Sequence, residues 1–555
     1  MQTDSQMISP SGREGSPNRL ALVVVASSAG TVMEWYDFFL YGSLATAISA
    51  QFFSGVDPTA AYIFALLAFA AGFAVRPFGA LIFGRLGDVH GRKNTFLVTM
   101  ILMGLSTLVV GILPGYAAIG IAAPAALIAM RLVQGLALGG EYGGAATYVA
   151  EHAPAHRRGL YTSAIQATAT IGLFLSLGVI LSTRLIVGEA AFADWGWRIP
   201  FLLSALLMAA SLGIRLKLHE SPVFLQMVAE GTRSSAPITD SFLRWPNLSI
   251  VLRVLFGIVG GQAAVWYAGQ FYTLFFLEKM LLVDGPTANL LIAVALAIGM
   301  PSFVLFGWLS DRIGRKKVIL AGCALAAIGY FPIFHALAGA ANPALVAATA
   351  ASPVTVIADP ASCSVQFDPV GKGSFDRPCD LIKAHLAKSG ISYTNVAAAP
   401  GQPPVVTIGD VHYPAFADTG GDAATRKERK AAWRDGLANI LAAHGYPKKA
   451  DAARIDKPRV VALLVLLILF AGMVYGPIAA LLVEMFPPAI RYTSLSLPYH
   501  IGNGWIGGFL PATAFAMVAA TGDMFFGLWY PVSFAALSVV IGILFVRERA
   551  SGEPA

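Results

Sequence analysis

Twelve apolar runs, each long enough to be a membrane-crossing helix, alternate along the chain with short polar breaks. Their approximate bounds are 20–48, 60–84, 95–113, 117–150, 160–183, 199–218, 251–277, 288–309, 318–339, 459–483, 493–520 and 525–546. About 20 apolar helical residues cross the roughly 30 Å of bilayer hydrocarbon. Lipid offers the backbone no hydrogen-bond partners, so each run is expected to be a helix. The pattern divides the chain into a polar tail (1–19), a six-helix bundle (20–218), a polar linker (219–250), three spans (251–339), a polar insert (340–458), three more spans (459–547) and a second tail (548–555). The expected fold class is an all-α membrane protein of twelve transmembrane helices in two six-helix pseudo-repeats. A small α/β insert lies between helices 9 and 10.

The duplication is written in the breaks. Gly84-Arg85-Leu86-Gly87-Asp88-Val89-His90-Gly91-Arg92-Lys93 returns as Gly307-Trp308-Leu309-Ser310-Asp311-Arg312-Ile313-Gly314-Arg315-Lys316, matching at Gly, Leu, Asp, Gly, Arg and Lys. Each match is improbable by roughly a factor of ten to twenty at average residue usage. A second echo pairs Glu151, Pro154 and Arg158 with Glu484, Pro487 and Arg491. The first offset is 223 residues and the second 333, so 110 residues entered the second half between the two landmarks.

That insert breaks the membrane rhythm. Strand-like runs at 354–357, 364–367 and 405–411 alternate with helix-like runs at 380–388 and 426–443, the latter with Trp433, Leu437, Ile440 and Leu441 on one face. Two of the three cysteines, Cys363 and Cys379, fall here, and Cys323 falls in the ninth span. A small domain outside the cytoplasm commonly carries a disulfide, worth about 3 kcal/mol for a loop of this length; the alternative is two unpaired thiols.

Composition agrees with a bilayer protein: 56% of residues are hydrophobic and 12% charged, with mean hydropathy +0.68. The basic isoelectric point, near 9.2, does not call for nucleic acid, because the charges sit between spans. With the N-terminus inside, Arg85, Arg92, Lys93, Arg157, Arg158, Arg312, Arg315, Lys316 and Lys317 are cytoplasmic, whereas the short outer loops hold Arg184, Arg198 and Lys279. Lys and Arg near span ends resist translocation, so both termini are expected inside and the insert outside. The first 19 residues lack the apolar core of a secretory signal and read as a disordered cytoplasmic tail.

A charge within hydrocarbon costs about 2.5 to 3.5 kcal/mol on insertion scales and so needs a partner or a function. Five stand well inside spans, all in the first half: Glu34, Asp37, Arg76, Arg131 and Glu141. Facing a common cavity, they would form a proton site (Glu34, Asp37, Arg131, Glu141) beside an anion site (Arg76), with Tyr41 on the face of Glu34 and Asp37. The bland alternative is that Glu34 or Asp37 pairs with Arg131 to hold the bundle together. Gly135, Gly139, Gly140, Gly143 and Gly144 mark a close helix contact, sliding or static. The second half offers neutral groups instead: Gln262, Tyr267, Gln270, Tyr499, His500 and Asn503 are its candidate substrate contacts. At the inner surface, Asp88, Arg92, Glu151, Arg158, Asp311, Arg315, Glu484 and Arg491 are candidate ion-pair latches, expected as surface pairs worth about 0 to 1 kcal/mol. Topology control alone is the competing reading of those charges.

These motifs resemble the major facilitator superfamily, whose loop pattern G-x-L-x-D-x2-G-R-K occurs twice, and within it the metabolite:proton symporter family. The narrower resemblance rests on Glu34-Trp35-Tyr36-Asp37-Phe38, Arg76-Pro77-Phe78-Gly79, Arg131-Leu132-Val133-Gln134-Gly135, Gly139-Gly140-Glu141-Tyr142-Gly143-Gly144 and Trp195-Gly196-Trp197-Arg198-Ile199-Pro200. It implies a monomeric importer in the cytoplasmic (inner) membrane, driven by the proton gradient without a cofactor, whose halves rock around a midplane site. It also implies latch roles for Asp88, Arg92, Asp311, Arg315, Glu151 and Glu484. The insert departs from the family pattern.

Members of that family move organic acids or zwitterions such as proline and betaine. Two midspan arginines favour a small mono- or dicarboxylate, and the short stretch after the last run, with no heptad-bearing tail, points away from the osmosensory zwitterion carriers. The expected partners are that anionic metabolite, protons and the bilayer. A different class, a transporter-like receptor using the outer insert, would want a cytoplasmic output domain. Enzyme function has little support: Gly371-Lys372-Gly373-Ser374 misses phosphate-loop spacing, and neither an HExxH metal site nor a Gly-x-Ser-x-Gly elbow occurs.

Overall fold

The computed structural model describes residues 17–55, 68, 71–364, 377–417, 420 and 422–548. The first half contains α1 (Pro17–Ser43), α2 (Arg76–His90), α3 (Arg92–Ile112), α4 (Ala122–His152), α5 (Ala155–Val187) and α6 (Arg198–Leu216). Part of the run at 60–84 lies outside the described residues. Two short linker helices follow, α7 (Pro222–Glu230) and α8 (Pro237–Phe242). The second half opens with α9 (Trp245–Met280), α10 (Gly285–Ile313) and α11 (Arg315–Ala341). Next comes the insert: α12 (Pro343–Ala351), β1 (Val354–Ala358), α13 (Pro378–Lys388), β2 (Thr394–Ala397), β3 (Val405–Ile408), β4 (Val411–Pro414) and α14 (Ala423–Ala443). α15 (Lys457–Met485), α16 (Pro488–Thr521) and α17 (Phe526–Phe545) complete the chain. Among the described residues, ten helices are long and apolar enough to cross a membrane: α3, α4, α5, α6, α9, α10, α11, α15, α16 and α17.

The two halves meet through symmetry-related pairs, α2 against α16 and α10 against α5. Within the first half α1 packs on α5, and α4 packs on both α2 and α3; in the second, α11 packs on α15 and α17. α9 is not a regular helix. It widens to i→i+5 turns at Leu255–Val259, Ala268–Tyr272 and Phe276–Met280, and such turns rotate whatever follows them.

In the insert, a four-stranded sheet has the order β2-β1-β3-β4, with β1 and β2 parallel and the other pairs antiparallel. Val354, Val356, Val406 and Ile408 alternate onto one face, and Ile382, Leu386, Leu437 and Leu441 from α13 and α14 are buried with them in one core. The expected strand at 405–411 is two strands, because the chain reverses at Gly409, whose φ of +54° suits glycine. β2 was not expected: Thr394, Asn395, Val396 and Ala397 are all exposed, so an edge strand left no alternating pattern. Ser364 is a loop residue, and 365–367 lie outside the described residues. The insert is fastened to the second half, through Tyr393 N–H to the Gly522 carbonyl (2.8 Å) and Ala450 N–H to the Leu282 carbonyl (3.0 Å).

Candidate functional site: a cavity between two latched halves

Between the halves lies a narrow cavity. The first half lines it with Thr31, Glu34 and Trp35 from α1, Arg76 from α2, Tyr142 from α4, and Ile165 and Gln166 from α5. From the second half come Trp266 and Tyr267 of α9, Tyr475 of α15, and Tyr499, His500 and Asn503 of α16. Glu34 and Arg76 are both buried, and neither has a hydrogen-bond or ion-pair partner among the described residues. Arg76 is held by aromatic faces instead, its guanidinium 4.4 Å from the ring centre of Phe73 and 5.8 Å from that of Phe38. Opposite them the wall is neutral and ordered. Tyr475 and Tyr499 share a hydroxyl hydrogen bond of 2.9 Å, Tyr499 stacks on Tyr142, and Gln166 donates to the Tyr142 hydroxyl (2.9 Å). Both ring nitrogens of the buried His500 lack partners among the described residues.

The other three midspan charges do not face this cavity, which corrects the expectation that all five converge. Successive helical residues turn by about 100°, so Asp37 points about 60° away from Glu34. It reaches α3 instead: Thr107 Oγ1 donates to Asp37 Oδ2 (2.7 Å), Gln134 Nε2 donates to Thr107 Oγ1 (2.6 Å), and Arg131 donates to Gln134. Tyr41 lies under the Arg131 guanidinium, 4.1 Å from its carbon to the ring centre, and so belongs to this chain and not to the cavity. Glu141 pairs with Arg215 of α6 at 3.4 Å. Arg215 stands near the inner end of the 199–218 run. It reaches inward because Gly30 leaves room: a Cβ there would stand 1.5 Å from the Arg215 Nη2.

Two expected contacts in the second half also move. Gln262 sits behind the cavity wall, exchanging two hydrogen bonds with Asn503 (3.2 and 3.1 Å). Gln270 is half-buried and does not line the cavity, because the wide turn at Ala268–Tyr272 breaks the simple helical spacing that aligned it with Gln262. Thr31, Trp35, Gln166 and Tyr475 were missed. They are neutral, and neutral residues carry no alarm in an apolar helix.

At one end of the cavity the halves are bolted together twice. Asp88 accepts the N–H groups of Tyr492 (3.2 Å) and Thr493 (2.8 Å) and the Thr493 hydroxyl (2.7 Å), so it caps a helical segment of the other half. Arg92 pairs with Asp88 at 2.8 Å, and Arg491 pairs with Glu151 at 2.8 Å. The mirror arrangement has Asp311 accepting from Gly159 N–H and Leu160 N–H (2.8 Å each), with Arg315 on Asp311 (3.1 Å) and on Glu484 (3.2 Å), and Arg158 on Glu484 (3.5 Å). The expectation of surface latches is corrected: Asp88, Arg92 and Glu151 have no exposed side-chain area. Helix packing seals them, since α2 lies directly against α16.

Each repeated Gly-Arg-Lys works as a joint. Gly91 (φ +111°) and Gly314 (φ +105°) turn the chain so that the next helix exposes its first amides. A carboxylate from the end of the same half covers them, Glu220 on Arg92 N–H and Lys93 N–H (3.1 Å each), Glu548 on Arg315 N–H (2.5 Å) and Lys316 N–H (3.3 Å). Rings from both halves also meet at the cavity, Trp35 against Trp266 at 5.5 Å in its wall, and Phe39 stacks on Phe271 at 6.2 Å.

Known proteins share this frame. The sequence model of the family described as "Sugar (and other) transporter" matches residues 22–244. The chain is 35% identical over 344 residues to the shikimate transporter of Escherichia coli (strain K12), an alignment covering 60% of this chain and 77% of that protein. The chain belongs to the metabolite:proton symporter family of the major facilitator superfamily. Within that family it is also 36% identical over 325 residues to the proline/betaine transporter of Escherichia coli (strain K12), covering 57% of this chain and 64% of that protein. Its major facilitator fold is similar to that of the proton:xylose symporter XylE bound to 6-bromo-6-deoxy-D-glucose, with TM-score 0.60, 16% identity and coverage of 96% of this chain and 97% of the other. The relatives are transporters, and this chain is a multi-pass membrane transporter, not an enzyme.

Proposed function

We propose that the chain is a proton-coupled symporter of twelve spans that imports a small organic metabolite, a mono- or dicarboxylate, by alternating access. One observation carries this reading: Glu34 and Arg76 stand in one inter-half cavity with no partner among the described residues, opposite a wall of hydroxyl, amide and imidazole groups. A substrate carboxylate neutralises Arg76, and a proton neutralises Glu34. Buried charge is expensive to move through low dielectric, so the halves exchange position readily only when both are satisfied, and that requirement couples the two fluxes. The Tyr142, Tyr499 and Asn503 groups hydrogen-bond the rest of the substrate. Asp37, Thr107, Gln134 and Arg131 form a buried polar chain beside the site and tune its proton, as Glu141 and Arg215 do from the latch side.

The basic loops gather at the latch end, which supports an inner-membrane orientation with both termini cytoplasmic and the insert outside. The transporter works as a monomer. The gating pairs Asp88–Arg92, Glu151–Arg491, Asp311–Arg315 and Glu484–Arg158 then close the cytoplasmic side and open once per cycle.

A second reading, a zwitterionic osmolyte, is favoured by the rings around the cavity. Trp35, Trp266, Tyr142, Tyr267, Tyr475 and Tyr499 would receive an ammonium group beside ionised Glu34. Uptake by proteoliposomes under an imposed inward proton gradient, with labelled carboxylates and zwitterions, separates the readings. Accumulation of carboxylates that collapses with the gradient is expected. Uptake indifferent to the gradient would replace symport by facilitated diffusion, and preference for betaine or proline would replace the carboxylate.

A further inference from the structure

We propose that the insert is a thiol–disulfide exchange module, with Cys363 as the sulfur that partner thiols attack and Cys379 as the sulfur that leaves. The proposal stands on the insert alone, so it holds or fails independently of the substrate carried below.

Cys363 and Cys379 are joined as a disulfide across 16 positions of sequence. The bond sits where β1 ends and α13 begins, the crossover of a parallel β1-α13-β2 unit and the edge at which α/β folds place their chemistry. Redox dithiols of the C-x-x-C kind sit at such a crossover with two residues between their cysteines; here Cys363 and Cys379 stand 16 positions apart. The two sulfurs are not equivalent. Cys379 occupies the first turn of α13 and is fully buried, while Cys363, in the loop leaving β1, is half-buried. A partner therefore reaches Cys363 first. The helix start points amide dipoles toward Cys379, and the N-cap residue, Arg377, makes no side-chain cap to compete for them.

The disulfide is not the only tie between the segments it joins. Here two hydrogen bonds already link those segments, from Arg377 Nη1 to the Ala361 carbonyl (3.3 Å) and from Ser364 N–H to Asp380 Oδ1 (2.7 Å). They hold the thiols close after the bond opens, which a reversible couple requires.

The exchange balances without any further reagent than a partner dithiol. One partner thiolate attacks Cys363 Sγ, the Cys363–Cys379 bond breaks, and its electron pair leaves on Cys379. The partner's second thiolate attacks the mixed disulfide and expels Cys363. The partner loses two electrons and two protons, which the insert gains as two thiols; the reverse order oxidises the insert.

The test uses the full-length protein in detergent, with the buried Cys323 replaced as Cys323→Ser so that only the pair reports. Reduction of insulin by dithiothreitol should run at least tenfold faster with this protein than with the additional Cys363→Ser/Cys379→Ser variant. Glutathione disulfide should label Cys363 in Cys379→Ser at least tenfold faster than Cys379 in Cys363→Ser. Insulin reduction at the blank rate, equal labelling of the two sulfurs, or a disulfide that dithiothreitol opens only after denaturation would each overturn the proposal and leave the bond a structural tie.

Discussion

The two halves descend from one repeated frame yet face the cavity with opposite chemistry. The first contributes Glu34 and Arg76; the second contributes tyrosine hydroxyls, Asn503 and His500, with no carboxylate, Lys or Arg among its lining residues. The latches diverge as well. Around Asp88 every paired side chain is at most 8% exposed, whereas on the Asp311 side Arg158 is 25% and Glu484 12% exposed. The duplicated scaffold therefore fixes where helices cross, while charge and sealing are set separately in each copy. On the proposed symport reading, the symmetric scaffold would let both ends open and the asymmetric charge would set what must be bound before they do.

The comparison breaks most severely at Arg76. Arg76→Gln is expected to reduce carboxylate uptake by roughly 30- to 1,000-fold, the scale of losing one partner of a desolvated charge pair, and to reduce zwitterion uptake much less; equal losses in paired transport assays would remove Arg76 from anion binding. Glu34→Gln should abolish gradient-driven accumulation while counterflow exchange persists, and accumulation at the wild-type level would move the proton elsewhere. Asp37→Asn, which keeps the Thr107 contact, should impair accumulation less than Glu34→Gln, and the reverse ranking would place the coupling proton on the Asp37 chain.

Between the latches, Arg491→Gln should destabilise the closed form by about 1.5 to 3 kcal/mol, since the buried Glu151 loses its partner from the other half while keeping Arg92 (3.7 Å) and the Ser221 hydroxyl. Arg158→Gln should shift it by about 1 kcal/mol or less because its pair is wetted. Melting in detergent and labelling of cysteines introduced at the cavity wall from the latch side read both; similar shifts would erase the proposed asymmetry. The smallest effects are expected for Asn503→Ala, about 1 kcal/mol or roughly fivefold in apparent affinity for one neutral hydrogen bond. A loss comparable with Arg76→Gln would show that the neutral wall recognises the substrate as strongly as the charged one.

The duplication, the charged residues that pair at the junction of the halves and the graft of an α/β unit were legible because repeats and charges stand out against apolar helices. The fate of the five midspan charges was not. Spacing along one helix gives an angle, but which neighbour occupies that angle depends on packing between segments far apart in sequence: Gly30 yields to Arg215, and Thr107 intercepts Asp37. Wide turns in α9 displaced Gln270 for a similar reason, since hydrogen-bond register within a helix responds to its neighbours as well as to its residues.

By itself the sequence determined that the chain crosses a bilayer as a duplicated bundle and where ionisable groups stand along it, because hydrocarbon punishes every polar exception and leaves a visible pattern. Only the tertiary structure decided that Glu34 and Arg76 share a cavity while Asp37, Arg131 and Glu141 are taken up by other partners. Partnership of that kind is a property of distances across the bundle, and a linear order of residues does not contain them.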